Sequence, residues 1–292
     1  MRFKLTLLTS FLMLGVTACA SFGTSSTPSP EAPTLPPEPP TATPPPSAAV
    51  VNGEYITIAE FQAELARFQA AQTELGNAIS DEDAHRIVLE DLIAQVLLSQ
   101  AARDANFNIT ESELQSRMDA LAAEIGGAEM LAAWMSANGY DEASFRQSLK
   151  RSIEAAWMRD KIIADVPATM EQIHLRQILT YNEANAQAAL ARLNNGEDFD
   201  EVAAVYDPVT RGELGWVPKG YLLDPAADET VFSLQAGETS GIIATEAGFH
   251  IFKAVERGEH SLSPDALLIM QELALKQWLA EQRAKSDVVL AP

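Results

Sequence analysis

The chain has 292 residues, 47% hydrophobic and 21% charged, and its 41 acidic against 20 basic residues give a formal net charge of −21. Such acidity argues against a nucleic-acid backbone or an anionic lipid surface as partner and favours solubility. The single cysteine excludes a disulfide framework, so the folded part must rest on its core.

Arg2 and Lys4 precede an apolar run from Leu5 to Val16, too short to span a bilayer comfortably, and Val16-Thr17-Ala18-Cys19 follows. This reads as a secretory signal. Its small-residue end resembles the lipobox of bacterial lipoproteins, which implies cleavage before Cys19, acylation of that sulfur and a membrane anchor through the N-terminal lipid. Residues 21–47 hold Pro28, Pro30, Pro33, Pro36, Pro37, Pro39, Pro40, Pro44, Pro45 and Pro46 among Thr, Ser and Glu. With almost nothing to bury, they read as a semi-rigid tether that at ~3.1 Å per residue holds a domain ~80–90 Å from a surface.

Ala48 to Thr57 alternates around Asn52-Gly53, a dipeptide suited to a tight turn with positive φ. Thr57-Ile58-Ala59-Glu60 has capping-box spacing and predicts a helix to about Ala71. A second helix is predicted over Asp81–Asp104, with Ile87, Val88, Leu92 and Val96, joined by Leu89, Ile93 and Leu97, on a wide apolar face. Thr110-Glu111-Ser112-Glu113 opens a third, to about Ile125; two more are predicted over Ala128–Asn138 and Asp141–Ala164. In the last, Phe145, Leu149, Ile153 and Trp157 recur every four residues and predict one buried stripe.

The next block predicts a strand over Ile173–Thr180, helices over Asn182–Asn194 and Phe199–Tyr206, and a closing hairpin from Gly241–Thr245 and Phe249–Val255. Between them lie Arg211-Gly212-Glu213-Leu214-Gly215-Trp216, Glu238-Thr239-Ser240-Gly241 and Thr245-Glu246-Ala247-Gly248-Phe249-His250-Ile251. A final amphipathic helix, Pro264–Lys285, sets Leu268, Leu275, Trp278 and Leu279 on one face that must dock. His85 and His260 read as surface residues, Trp134 and Trp216 as packing. No His, Cys and carboxylate spacing suggests a metal, no nucleophilic triad is visible, and no cofactor is implied.

The glycine-marked turns, with the run 189–203 and the terminal Gly-Phe-His strand, resemble the parvulin (PpiC, rotamase) family of peptidyl-prolyl cis-trans isomerases. Val50-Val51-Asn52-Gly53-Glu54-Tyr55-Ile56-Thr57 with Glu60-Phe61 resembles the start of the SurA/PrsA-type exported chaperones. Together they imply an α+β protein: a helical chaperone domain, made of N-terminal helices and a returning C-terminal helix, with an inserted parvulin-like βααβαββ domain. The implied divisions are 1–18 signal, 19–47 tether, 48–168 helical domain, 169–258 isomerase domain and 259–292 C-terminal helix.

The resemblance implies an apolar cup of Leu214 and Leu222 with Phe232 beneath it, and a polar set of His250, Thr245, Asp207 and Gln177. Gln177 stands where the family has a histidine. His174, three residues away, belongs to the opposite face of the strand. Ala226 or Ala227 stands where a cup phenylalanine is expected. The implied partners are unfolded or X-Pro-containing exported polypeptides, and the implied activity is peptidyl-prolyl isomerisation combined with chaperoning. The alternative is a holdase that uses the same domain only to bind peptide.

Overall fold

A computed structural model describes residues 44–291. The expectations for the signal, Cys19 and nearly all of the tether lie outside the described residues. What remains is α+β, with a helical lobe interrupted by a compact sheet-and-helix insert.

The lobe begins with a hairpin, β1 (Ser47–Val51) and β2 (Glu54–Thr57), joined through Asn52 and Gly53 at φ 51° and 84°. Helices α1 (Ile58–Glu74), α2 (Asp81–Asp104), α3 (Glu111–Ile125), α4 (Ala128–Ala137) and α5 (Glu142–Ala164) follow. Thr110 and Glu113 form the full reciprocal capping box at α3. Thr57 makes only half of one: its hydroxyl accepts from the Glu60 amide, while the Glu60 carboxylate is drawn away to Arg151.

The apolar face of α2 meets the hairpin, and Val88, Leu92, Ile93, Val96 and Leu97 pack with Ala49, Val51 and Ile56. Each such fully buried aliphatic side chain contributes about 1.5–3 kcal/mol. The expected stripe on α5 is only partly the buried one. Phe145 is buried, but Leu149, Ile153 and Trp157 stay half-exposed, Trp157 stacked flat on Phe107 at 4.7 Å. The deeper face carries Arg151, Glu154, Ala155 and Ile162. It is charged because the motif at the start of the lobe supplies counter-charges. Glu54 pairs with Arg103 at 2.7 Å, Glu60 with Arg151 at 2.7 Å, and the fully buried Glu154 accepts from Arg103 at 2.8 Å and Ser99 at 2.7 Å.

After the insert, α9 (Pro264–Lys285) returns to α5 and α2, where Leu275, Trp278 and Leu279 pack with Leu98, Ala155 and Ile162. Leu268 was expected on that face but is 65% exposed; the buried positions in the first two turns are instead Ala266 and Met270. The sequence reading also missed β7 (Val288–Leu290), which pairs antiparallel with β1 and completes a sheet of order β2-β1-β7. Asn52 fastens it, because its backbone N–H donates to Asp287 O and its side-chain oxygen accepts from Asp287 N, both at 2.8 Å.

The insert runs β3 (Thr169–Thr180), α6 (Glu183–Asn194), α7 (Phe199–Tyr206), β4 (Glu213–Pro218), α8 (Pro225–Ser233), β5 (Ile243–Thr245) and β6 (Gly248–Ser261). Its antiparallel sheet has the order β4-β3-β6-β5. β3 and β6 are longer than predicted because they continue past the sheet as a two-stranded stalk, paired as far as Thr169 and Ser261. Alternation along β3 sends Ile173 and Leu175 to the face covered by α8, and Ile178 to the face covered by α6 and α7. No helix among the described residues is long and apolar enough to cross a membrane.

Candidate active site

The site forms on the α8 face of the insert, where β3, β5 and β6 lie side by side. Gln177 sits opposite Phe252, and His250 is flanked by Leu179 on one side and Ile243 on the other. Gln177 and His250 are therefore diagonal neighbours on one face. His250 Nδ1 lies 3.2 Å from Gln177 Oε1, and Nε2 lies 2.8 Å from Thr245 Oγ1.

One proton assignment satisfies these contacts with the amide oxygen facing the ring. His250 donates from Nδ1 to Gln177, and the Thr245 hydroxyl, 3.4 Å from Gly248 O, donates instead to the nearer Nε2 while its oxygen accepts from the Ala247 amide at 3.1 Å. The imidazole is then neutral with both nitrogens engaged. Burial lowers the His250 pKa below its ordinary value, and the negative charge of Asp224 opposes the shift. The ring stacks on Phe252 at 5.4 Å with 8° between planes, which ties the polar group to the apolar floor.

That floor contains Ile173, Leu175, Val217, Ala227, Val231, Phe252 and Ala254, with Tyr221, Leu222, Phe232 and Ile243 packed on it. Leu222 and Phe232 thus border the same apolar surface as His250. Leu214 stands apart from this cluster, 37% exposed at the start of β4. Of the two alanines at the place of the expected cup phenylalanine, Ala227 is buried and Ala226 exposed.

Asp207 is not joined to Gln177, Thr245 or His250 by a hydrogen bond. It caps the following turn, its Oδ1 accepting from the Val209 and Thr210 amides at 3.1 and 3.0 Å and its Oδ2 from the Thr210 hydroxyl. The Thr210 side chain and amide hold its carboxyl below the usual range. His174 faces the other way: its Nε2 meets Glu213 Oε1 at 2.6 Å, and its ring stacks on Trp216. His260, expected at the surface, is half-buried and also stacks on Trp216, at 3.5 Å.

Two backbone approaches require glycine. A Cβ on Gly212, at φ 75°, would lie 1.9 Å from Gln177 O; one on Gly248, at φ 138°, would lie 2.5 Å from Thr180 O. Gly212 O accepts from Gln177 N at 2.8 Å, so the turn before β4 fixes the backbone that carries Gln177. The sequence reading passed over Asp224. Its signal was an N-cap followed by proline, and it does cap α8 through the Ala227 amide at 2.8 Å.

Residues 3–159 match the family described as SurA-like N-terminal domain, and residues 176–256 match the PPIC-type PPIASE domain. The chain belongs to the SurA-like family. Its insert is a PPIC-type peptidyl-prolyl isomerase domain, joined to the SurA-like N-terminal domain in one chain. The foldase protein PrsA of Caldanaerobacter subterraneus subsp. tengcongensis is 29% identical over 245 residues, covering 70% of this chain and 72% of that protein. The chaperone SurA of Aromatoleum aromaticum is 27% identical over 246 residues, 72% of this SurA-like chain but only 56% of that longer protein. Among solved structures, PrsA from Bacillus anthracis covers 68% of this chain and 96% of its own at 20% identity, with a TM-score of 0.41. The parvulin of Nitrosopumilus maritimus, 30% identical, covers 29% of this chain and 96% of its own, with a TM-score of 0.26.

Proposed function

We propose that this SurA-like isomerase is a lipid-anchored extracytoplasmic foldase acting on unfolded, X-Pro-containing exported polypeptides. Cys19 carries the lipid, residues 1–18 are removed, and 19–47 hold the folded part off the membrane. Residues 48–168 with 259–292 hold client chain, and 169–258 turn X-Pro bonds. The observation that supports this most is the hydrogen-bonded line Gln177–His250–Thr245 set against an apolar floor.

Uncatalysed X-Pro rotation is slow because the amide loses resonance on twisting, with an activation energy near ~20 kcal/mol. No bond is made or broken. Catalysis needs the proline ring held in an apolar cup and a polar environment that favours the twisted amide over the planar one. Leu222 and Phe232 supply the cup, and Leu214, apart from that cluster at the start of β4, lines its outer edge. Since the Gln177 oxygen faces His250, its NH2 is the donor left for substrate, and Thr245 holds the ring in one tautomer. Asp207 shapes the edge of the cleft by fixing the turn that leads to Gly212. Each tenfold in rate requires about 1.4 kcal/mol of differential binding, which two or three such contacts supply.

A protease-free X-Pro peptide assay on the full chain tests the reading. Acceleration over the spontaneous rate, reduced in His250→Ala and Leu214→Ala but not in His174→Ala, is expected. No acceleration, with peptide binding retained, would favour the holdase, a reading that Gln177 in place of a histidine and Ala226 or Ala227 in place of a larger wall side chain support. Lipid attachment is checked by incorporation of labelled fatty acid in a bacterial host, which Cys19→Ser should abolish.

A further inference from the structure

The loop of residues 219–224, between β4 and α8, is held from two sides. On one side stands Asp228, 7% exposed, in the first turn of α8. Its two oxygens accept from the Gly220 amide at 2.9 and 3.0 Å, and Oδ1 also receives the Leu222 amide at 3.4 Å. No lysine or arginine pairs with it among the described residues, so backbone N–H groups and the positive end of the helix offset the burial of its charge.

On the other side stands α9. Gly220 lies so close to it that a Cβ there would meet Leu273 Cδ1 at 2.9 Å and Met270 Cε at 3.8 Å. Beside this contact opens a cavity of about 760 Å³, bordered by Lys219, Gly220, Asp228, Met270 and Leu273. The far part of the loop reaches the cleft. Leu222 packs on the cluster that contains Phe252, against which His250 stacks, and Asp224 lies near enough for its charge to act on His250.

We propose that Asp228 is a positioning residue of the isomerase cleft, holding the 219–224 loop so that Leu222 and Asp224 face the proline site, with α9 of the helical lobe as the seat of that loop. Asp228 presents no group to substrate in this arrangement; it acts through the backbone of Gly220 and Leu222. The inference rests on the isomerase reading of the cleft. It adds that the helical lobe takes part in shaping it.

The test uses the full chain and one X-Pro tetrapeptide, with Kd from calorimetry and KM and kcat from the protease-free assay. Asp228→Ala should raise Kd and KM about tenfold with kcat within about twofold, the signature of lost binding common to ground and transition states. Asp228→Asn, which keeps one acceptor oxygen, should recover most of that loss. Leu273→Ala, on partly exposed α9, should weaken binding about threefold while leaving the fold intact. If Asp228→Ala fails to fold, Leu273→Ala carries the test. Wild-type affinity in Leu273→Ala, or in a folded Asp228→Ala, would overturn the proposal, as would a fall in kcat at unchanged KM. Wild-type protein that binds peptide without turning it over would sink the enzyme while leaving the Kd series decisive. Wild-type protein that binds no X-Pro peptide would sink both.

Discussion

Protonating His250 would make donors of both ring nitrogens, so that the Thr245 hydroxyl, 2.8 Å from Nε2, could no longer donate to it. Because burial lowers its pKa below 6.5, the unfolded chain binds this proton more readily than the native one. Stability therefore rises with pH across the window between the depressed value and 6.5, and this contribution is lost on acidification. An NMR titration of the ring should show a midpoint below 6.5; one at or above it would mean that the Asp224 charge outweighs burial. Gly212 offers a second check. Alanine there meets Gln177 O and holds an unfavourable φ, so Gly212→Ala should cost at least about 2 kcal/mol in urea unfolding. Gln177, Thr245 and His250 were legible in the sequence because the turns around them are glycine-marked and their spacing matches a known pattern. Asp224 and Asp228 were not, because an acidic residue at a helix start reads as a cap whether or not it also faces a cleft.

Elements were read well where periodicity and caps agreed, as in α2, whose limits match the expected Asp81–Asp104. They were read less well where burial is polar. The deepest face of α5 holds Arg151 and Glu154, which no hydropathy pattern can mark as interior, whereas Leu149, Ile153 and Trp157 of the apolar stripe stay half-exposed. The network that buries them makes its own prediction. Glu154→Ala removes the acceptor that Arg103 and Ser99 share, while Arg103 keeps Glu54, and should cost about 1.5–3 kcal/mol by denaturant titration. A loss below about 1 kcal/mol would mean that solvent reaches the site freely. The motif glutamates Glu54 and Glu60 now have a physical role as anchors of Arg103 and Arg151. β7 escaped notice because three residues are too few to carry a period.

Over the whole molecule, the insert leaves the lobe and re-enters it at one place. Thr169 pairs with Ser261, and Leu262 N donates to Ala168 O at 2.8 Å. Antiparallel partners lie about 4.5–5.5 Å apart, so a two-residue turn can bridge the gap. Replacing residues 169–261 by Asn-Gly should leave a lobe that melts cooperatively and still suppresses aggregation of a refolding client, while isomerase activity disappears. A lobe without a cooperative transition would show instead that the insert is part of its core. The pairing of β7 with β1 also sets an order of events in time. Synthesis proceeds at about 5–20 residues per second, and the insert is complete once Ser261 has emerged, whereas the sheet that closes the lobe must wait for Leu290. A nascent chain thus holds its whole insert while the seat of the 219–224 loop on α9 and the last partner of its own N-terminal hairpin are still to come, and any product cut short before Val288 would leave the β1 edge without its β7 partner.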